Sequence, residues 1–284
     1  MKFLVAFALA GLVAGKAVES PQSPVEMDYH GKIGIPVAAR LKAAEEAQDF
    51  DGSRIVGGSP AALGQHPYVG GLLITLTNSQ TSVCTSSLLS TTRAVTAAHC
   101  WSTLTHQASF FTLVLGSLLL FSGGNRIITS DVEQHRRWNG LLPVNDVAII
   151  RFPAISLTNT IQPIAIATGS NSFVGSTAYA AGFGVTRDDG AITTNQFLSH
   201  VAVQVVDNSV CTAVYTILNV RASTLCTSTT GGRGTCGGDS GGPLVLGNQL
   251  VGITSFGHRE GCEAGHPAGF MRVTSFADWI RARL

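Results

Sequence analysis

The stretch that decides the fold is GRGTCGGDSGGP, which runs from Gly232 to Pro243. Near its end lies Ser240, between glycines that permit a tight backbone turn and let amide N–H groups point toward a developing oxyanion. A serine hydroxyl is a weak nucleophile until a base removes its proton, and that base needs a third group to orient it. The stretch therefore predicts a nucleophilic serine whose partners lie elsewhere in the chain.

One candidate exists for each partner. His99 lies in TAAHC, residues 96–100, and Asp146 lies in NDVAII, residues 145–150, at the head of an apolar strand. We expect the remaining histidines to be solvated loop or edge residues; they are His30, His66, His106, His135, His200, His258 and His266. Neither HExxH nor a cysteine-pair metal spacing is present, so we expect no metal and no cofactor.

Composition and apolar patterning limit the class of protein. The chain has 284 residues, 12% of them charged, and a net charge of +1, without a basic stripe, so a nucleic-acid partner is not expected. Short apolar runs between Gly, Ser, Asn and Asp clusters predict an all-β fold; they are YVGGLLITLT, FTLVLGSLLL, DVAIIRF, HVAVQVVD and QLVGITSF. Only the C-terminus departs from this pattern. There Thr274 or Ser275 is an expected N-cap, and the helical spacing is that of Phe276, Trp279, Ile280 and Leu284.

The N-terminus predicts an export signal. Lys2 precedes the apolar run FLVAFALAGLVAG, and small residues follow, so we expect a signal peptide over 1–17 with cleavage at about 15–17. Residues 18–54 are polar and mixed in charge, which is typical of a detachable segment. No other run approaches the length of a membrane helix, so we expect a secreted protein without a membrane partner. Six cysteines fit an oxidising compartment and allow 15 disulfide pairings.

Five short motifs occur in one order along the chain: RIVGG, TAAHC, NDVAII, GDSGGP and SFG. On these motifs, the chain from Ile55 to Leu284 resembles a chymotrypsin-family serine endopeptidase, most closely the insect digestive chymotrypsins and serine collagenases. The resemblance implies an all-β fold of two packed six-stranded antiparallel β-barrels with a short C-terminal α-helix. The peptidase domain would be 55–284, with the N-terminal barrel at about 55–165 and the C-terminal barrel at about 166–284.

The resemblance also implies roles for individual residues. Ser240 would attack the scissile carbonyl, His99 would transfer the proton, Asp146 would orient the imidazole, and the amides of Gly238 and Ser240 would form the oxyanion hole. The implied disulfides are Cys84–Cys100, Cys211–Cys226 and Cys236–Cys262. We expect a monomer that acts on proteins and peptides and meets proteinaceous protease inhibitors.

Activation is the next implication of the resemblance. A trypsin-like protease would cleave after Arg54, and the new ammonium of Ile55 would pair with Asp239, which precedes the nucleophile. The propeptide, residues 18–54, contains no cysteine. We therefore expect it to diffuse away after cleavage.

Substrate choice is predicted from the residues that the resemblance assigns to the pocket. Gly234, six positions before the nucleophile, supplies no charge, and Thr235 follows it. The other pocket positions are Ser255, Phe256, Gly257 and Ala268. Small walls predict a deep apolar pocket for Phe, Tyr, Leu or Met. Glu263 is either a solvated loop charge or a group that attracts a basic substrate residue.

Lysine is absent after Arg54. Either drift or an alkaline environment explains this, since arginine keeps its charge where lysine loses it, and an alkaline gut lumen fits the resemblance. We expect a digestive endopeptidase. The alternatives are a broad-specificity collagenase-like or elastase-like enzyme, a cascade protease and, least favoured, a non-catalytic binding homologue.

Overall fold

The computed structural model describes residues 23–47, 58–185, 187–188 and 198–284. The expected signal peptide and both Arg54 and Ile55 lie outside these ranges. The helices are a π-helical turn at His30–Gly34, α1 at Ile35–Ala47, a 3-10 turn at Ala98–Cys100, α2 at Asn208–Asn219 and α3 at Val273–Arg281. Among the described residues, no helix is long and apolar enough to cross a membrane.

The strands confirm the all-β expectation for the body of the chain. Strands β1 to β8 are Ser59–Pro60, Val69–Leu76, Thr81–Ser90, Arg93–Thr96, Ala108–Leu115, Asn125–Thr129, Val132–Gln134 and Ala148–Arg151. Strands β9 to β15 are Ala165–Ile166, Thr177–Gly182, Ser199–Val206, Thr224–Thr227, Pro243–Leu246, Gln249–Phe256 and Ala268–Arg272. The predicted run QLVGITSF coincides with β14, because its apolar residues are buried on both faces of the sheet.

The C-terminal half forms a closed barrel. Its order is β11-β10-β13-β14-β15-β12, and β12 pairs back to β11 through Val205 and Thr227. Strand β1 also joins this sheet, although its residues were assigned by sequence to the N-terminal barrel. Ser59 and Pro60 pair with Ser199 and His200, a part of β11 that β12 leaves unpaired.

The N-terminal half is only partly closed. Its order is β6-β5-β2-β3-β4-β8-β7, and no ladder joins the two end strands within the described residues. The ends are nevertheless adjacent in sequence, since only Ser130 and Asp131 separate Thr129 of β6 from Val132 of β7. Thr129 pairs with β5 and Val132 with β8, so a bent segment connects the two edges. The N-terminal half is therefore a partly closed barrel, where a closed six-stranded barrel was expected.

Helix α2 contradicts the expectation that only the C-terminus is helical. The Asp207 side chain caps it by accepting a hydrogen bond from the Ser209 amide at 2.8 Å. Cys211 and Tyr215, one helical turn apart, are both fully buried. An N-cap aspartate followed by apolar residues at this spacing was a usable signal in the sequence.

Helix α3 begins at Val273, two or three residues earlier than an N-cap at Thr274 or Ser275 would place it. Arg272 is its N-cap residue and its side chain does not cap the helix, so the predicted cap at Thr274 or Ser275 is wrong. Of the residues with the predicted helical spacing, Phe276 and Ile280 are buried, whereas Leu284 is exposed.

Residues 23–47 depart most from expectation. The sequence predicted a polar detachable segment, yet α1 buries Val37, Ala38 and Leu41 among side chains of both halves. This face was not recognised because exposed charged residues on the other side of the helix give the segment a polar composition. The segment lies across the cleft between the two halves.

Candidate active site

His99 and Asp146 are brought together by the N-terminal sheet. His99 lies in the 3-10 turn after β4, and Asp146 lies just before β8, which pairs with β4. Oδ2 of Asp146 is 2.7 Å from Nδ1 of His99, and Oδ1 accepts the His99 backbone amide at 2.8 Å. Ser255 Oγ donates to the same carboxylate at 2.6 Å. These three bonds fix the orientation of the His99 ring relative to the Asp146 carboxylate, with Nδ1 facing Asp146.

Ser240 lies on the opposite wall of the cleft, in the turn before β13. Gly238 has a φ of +101°, a conformation that favours glycine. Its carbonyl accepts a hydrogen bond from Thr85 Oγ1 at 2.9 Å, which anchors the turn to the N-terminal sheet. This hydrogen bond therefore fixes the backbone of the turn that carries Ser240.

The expected contact between His99 and Ser240 is not made. Nε2 of His99 is buried and has no hydrogen-bond partner within the described residues. The aromatic ring of Tyr29 lies 4.6 Å from the His99 ring, centroid to centroid. Sequence reasoning did not identify Tyr29 as a residue of this site.

Asp239 is buried beneath the turn. Its carboxylate accepts hydrogen bonds from the Gly184 amide at 2.8 Å and the Cys236 amide at 2.9 Å. Burial raises the pKa of this carboxyl group to about 6, against the opposing effect of the two amides. No ion pair to Asp239 occurs among the residues that the structure describes.

A cavity of about 300 Å³ lies next to Ser240. Five of the residues that the resemblance assigned to a substrate pocket line it: Thr235, Ser255, Phe256, Gly257 and Ala268. Gly234 is not a lining residue. It is buried behind Thr229, whose side chain lines the cavity and lies 3.1 Å from where a Cβ on Gly234 would be. Sequence reasoning missed Thr229, because no motif marks it.

Glu263, left open by the sequence, is engaged by the neighbouring loop. It accepts a hydrogen bond from the Asp188 amide at 2.8 Å, and Asp188 in turn accepts the Glu263 amide at 2.8 Å.

Two of the other histidines, His258 and His266, lie at the rim of the cavity. His266 is 3.1 Å from the Glu260 carboxylate and its ring is 3.7 Å from that of His258.

Three disulfides match the pairing that the resemblance implied. They are Cys84–Cys100, Cys211–Cys226 and Cys236–Cys262. The first joins β3 to the turn that carries His99, and the last joins the turn before Ser240 to the loop at the rim of the cavity. Both walls of the cleft are thus covalently braced.

His30 corrects another expectation. It is completely buried, and its Nδ1 lies 2.8 Å from Oγ of Ser82 in β3. Burial lowers its pKa to about 3, and neighbouring His99 adds to this effect. His30 is therefore a neutral packing residue at neutral pH, where a solvated loop residue was predicted.

Comparisons with known proteins agree with this architecture. The family model described as Trypsin matches residues 55–280. Collagenase from Hypoderma lineatum is 35% identical over 99% of this chain and 97% of its own length, and Brachyurin from Leptuca pugilator is 36% identical over 81% and 98%. The solved structure of HL collagenase superposes with a TM-score of 0.74 at 35% identity, covering 81% of this chain and 98% of that one.

Proposed function

This chain belongs to the trypsin family of serine proteases and is therefore a hydrolase, and we propose that it is a secreted endopeptidase whose catalytic groups are Ser240, His99 and Asp146. The observation that carries the proposal is the orientation of His99 by Asp146, at 2.7 Å between Nδ1 and Oδ2. This contact leaves Nε2 as the ring atom that faces the cleft. A base held in that tautomer can accept the proton of a serine hydroxyl.

The proposed reaction proceeds in two halves. Ser240 Oγ attacks the scissile carbonyl while His99 Nε2 takes its proton, and the imidazolium then gives that proton to the leaving amine. Water repeats the sequence on the acyl-enzyme and releases the acid product. Asp146 stabilises the imidazolium and does not itself become protonated. The amides of Gly238 and Ser240 would stabilise the oxyanion, each worth about 10²- to 10³-fold in turnover.

We propose that the protease is made as a zymogen. Its activation site would be Arg54, cleaved by a trypsin-like protease, and the ammonium of Ile55 would pair with Asp239. The support is the environment of Asp239. This carboxylate is buried, and its hydrogen-bond donors among the described residues are two backbone amides. A cation beside it would satisfy the charge and hold the oxyanion turn.

The proposed preference is for large apolar or aromatic residues before the scissile bond. Gly257 and Ala268 leave the cavity open, and a Cβ on Gly257 would meet no atom within 4 Å. Glu263 gives no support to a basic preference, since its carboxylate binds the Asp188 amide. The hydroxyl of Thr229 donates to the His266 carbonyl at 2.9 Å, which leaves its methyl group next to Gly234.

Broad, collagenase-like specificity is the second candidate. The relative from Hypoderma lineatum is named a collagenase and matches 99% of this chain. A digestive role in an alkaline gut lumen is the setting we propose, on the absence of lysine after Arg54. The partners would be protein substrates, the activating protease and proteinaceous inhibitors, and the protease would act as a monomer.

One titration tests the reaction and the zymogen together. The full chain is treated with an organophosphate before and after trypsin, with the Ser240→Ala variant as the control. We expect one equivalent of labelled serine after cleavage and almost none before. Equal labelling before and after would contradict the zymogen, and no labelling after would contradict the reaction.

A substrate panel tests the specificity. Peptide p-nitroanilides with Phe, Leu, Ala or Arg before the scissile bond are compared in the cleaved wild type and in Gly257→Val, which narrows the cavity. We expect Phe and Leu to lead in the wild type and Ala to gain in the variant. A dominant Arg preference would contradict the apolar pocket, and equal rates for all four would favour the broad-specificity candidate.

A further inference from the structure

Residues 23–47 bind both walls of the cleft. On the C-terminal wall, Val25 forms an antiparallel β-bridge with His258, and the Pro24 carbonyl accepts the Arg259 amide at 2.9 Å. On the N-terminal wall, Asp28 accepts a hydrogen bond from Thr105 Oγ1 at 2.6 Å. The segment therefore spans the groove in which a peptide substrate would have to lie.

Tyr29 lies at the catalytic groups themselves. It is 5% exposed, and its hydroxyl donates to the Val83 carbonyl at 2.7 Å. Burial raises the pKa of the phenol, and hydrogen bonds from the Ser240 side chain and the Gly238 amide oppose that rise. Tyr29 thus lies against the nucleophile and one oxyanion donor, and its ring packs on His99, whose Nε2 has no hydrogen-bond partner among the described residues.

The turn of helix that follows covers the oxyanion glycines. A Cβ on Gly237 would lie 2.7 Å from Ile33 Cγ2, and a Cβ on Gly238 would lie 3.3 Å from Val37 Cγ1. Such distances mean that the side chains of Ile33 and Val37 pack directly on the backbone of this turn. A substrate carbonyl could not enter the same space.

Helix α1 anchors the segment through noncovalent contacts, since residues 18–54 contain no cysteine that could form a disulfide with the body. Val37, Ala38 and Leu41 are at most 3% exposed, and burying one valine or leucine side chain contributes about 1.5–3 kcal/mol. At its far end, Glu45 accepts the amides of Leu120 at 2.6 Å and Phe121 at 2.9 Å. All of these contacts lie before Arg54, so cleavage there removes none of them.

We propose that residues 23–47 are a peptide inhibitor of this protease's own active site and stay bound after Arg54 is cleaved. The inference rests on the proposed function and deepens it by assigning the cleft a second ligand, a helical peptide with a tyrosine placed against the nucleophile. It replaces the expectation that the propeptide diffuses away on cleavage. Lys32, Arg40 and Lys42 are exposed on the segment, so a trypsin-like protease can destroy the inhibitor after it has cut Arg54.

The test separates these two cuts. Asp51→Ile, Gly52→Glu and Ser53→Gly create an Ile-Glu-Gly-Arg site ending at Arg54, and a protease specific for that site cleaves there alone. Turnover of a p-nitroanilide substrate is then measured at decreasing enzyme concentration, and again after the peptide is removed by gel filtration. Synthetic peptide 23–47 is finally added back.

Dilution and gel filtration should raise the specific activity, and added peptide should inhibit competitively. Tyr29→Ala should weaken that inhibition by about 30-fold, the effect of losing a binding hot spot of about 2 kcal/mol. Leu41→Ala tests the helix anchor separately and should weaken inhibition by a similar factor. The control is Lys42→Ala, since Lys42 is exposed and contacts only Glu46 among the ion pairs of the described residues, so it should leave inhibition unchanged.

Three results would overturn the proposal. These are activity that is independent of dilution and of added peptide, equal inhibition by the Tyr29→Ala peptide, and rapid cleavage of the peptide after Tyr29. Binding to the cleaved Ser240→Ala protein, measured by calorimetry, separates a weak inhibitor from a destroyed one. A peptide-free cleaved chain with no turnover would instead contradict the proposed function.

Discussion

Two buried aspartates belong to the proposed active site, and their surroundings differ. Asp146 is 1% exposed and accepts three hydrogen bonds, two of them from His99 and one from Ser255. Asp239 is 2% exposed and accepts two, both from backbone amides. A buried carboxylate needs donors or a cation to compensate for lost hydration, and only Asp146 has a titratable partner in the described part of the chain.

Asp146 therefore already has its charged-state partners in the uncleaved chain, whereas Asp239 has only backbone amides among the described residues. The environment of Asp146 is complete before any cleavage, because its donors come from the folded sheets. The environment of Asp239 raises its pKa to about 6, mainly through burial, so its ionised form is disfavoured. On the proposed function, cleavage completes the second environment and leaves the first unchanged.

The largest expected effect on activity comes from replacing Asp146. Asp146→Asn should lower kcat by about 10⁴-fold, the size known for this change in the Ser-His-Asp triad of this family, because the amide favours the wrong imidazole tautomer. The measurement is kcat of the cleaved protein at neutral pH. Asp278→Asn, at an exposed position of α3, is the matched control and should have no effect. A loss below tenfold would argue against the proposed role of Asp146.

The second largest expected effect on activity comes from replacing Asp239. Asp239→Asn should lower the activity of the cleaved protein by about 10²- to 10³-fold, since losing one partner of a buried ion pair costs roughly 3–5 kcal/mol. Organophosphate labelling of cleaved wild type and variant measures it. A variant that labels at the wild-type rate would show that Asp239 does not pair with Ile55.

The third effect removes one donor from Asp146. Ser255→Ala should lower kcat by about tenfold, because a hydrogen bond to a charged group contributes roughly 1.5–3 kcal/mol and His99 still supplies the other two. Steady-state kinetics on the cleaved protein measure it. Ser255→Thr keeps a hydroxyl and should recover part of the loss, whereas a loss as large as that of Asp146→Asn would mean that the three donors act as one unit.

The smallest effect is on stability in the uncleaved chain. Because the pKa of Asp239 is raised from 3.8 to about 6, the folded state holds its proton more tightly than the unfolded state. This contribution to stability is present below about pH 4 and is lost as the pH rises through about 6. The Tm difference between wild type and Asp239→Asn should therefore shift against the wild type by a few degrees over this range. A difference independent of pH would contradict the raised pKa.

The sequence predicted that His99 and Asp146 would act together, and their side chains do meet in the structure. The motifs around His99, Asp146 and Ser240 were recognisable because the chemistry allows few substitutes. The same reasoning failed for Tyr29 and Thr229, since neither belongs to a motif. Their positions follow from contacts between distant parts of the chain, such as the bond between Tyr29 and Val83, 54 residues apart.

Local patterns also left parts of the fold unread. Helix α2 had an N-cap at Asp207 and a buried face that a closer reading of spacing would have found. Helix α1 gave no such signal, because its apolar residues are mostly alanines spread around the helix and only three of its side chains are buried. Their burial depends on the surface made by the two sheets together.

By itself the sequence predicted the proposed catalytic groups and determined the mostly β character of the protein, because these depend on residue types and short spacings. Only the tertiary structure decided that Tyr29 reaches Ser240, that Thr229 and not Gly234 lines the cavity, and that Asp239 is buried with two amides. The physical reason is that burial and hydrogen bonding depend on which distant segments meet, and a one-dimensional pattern does not record that.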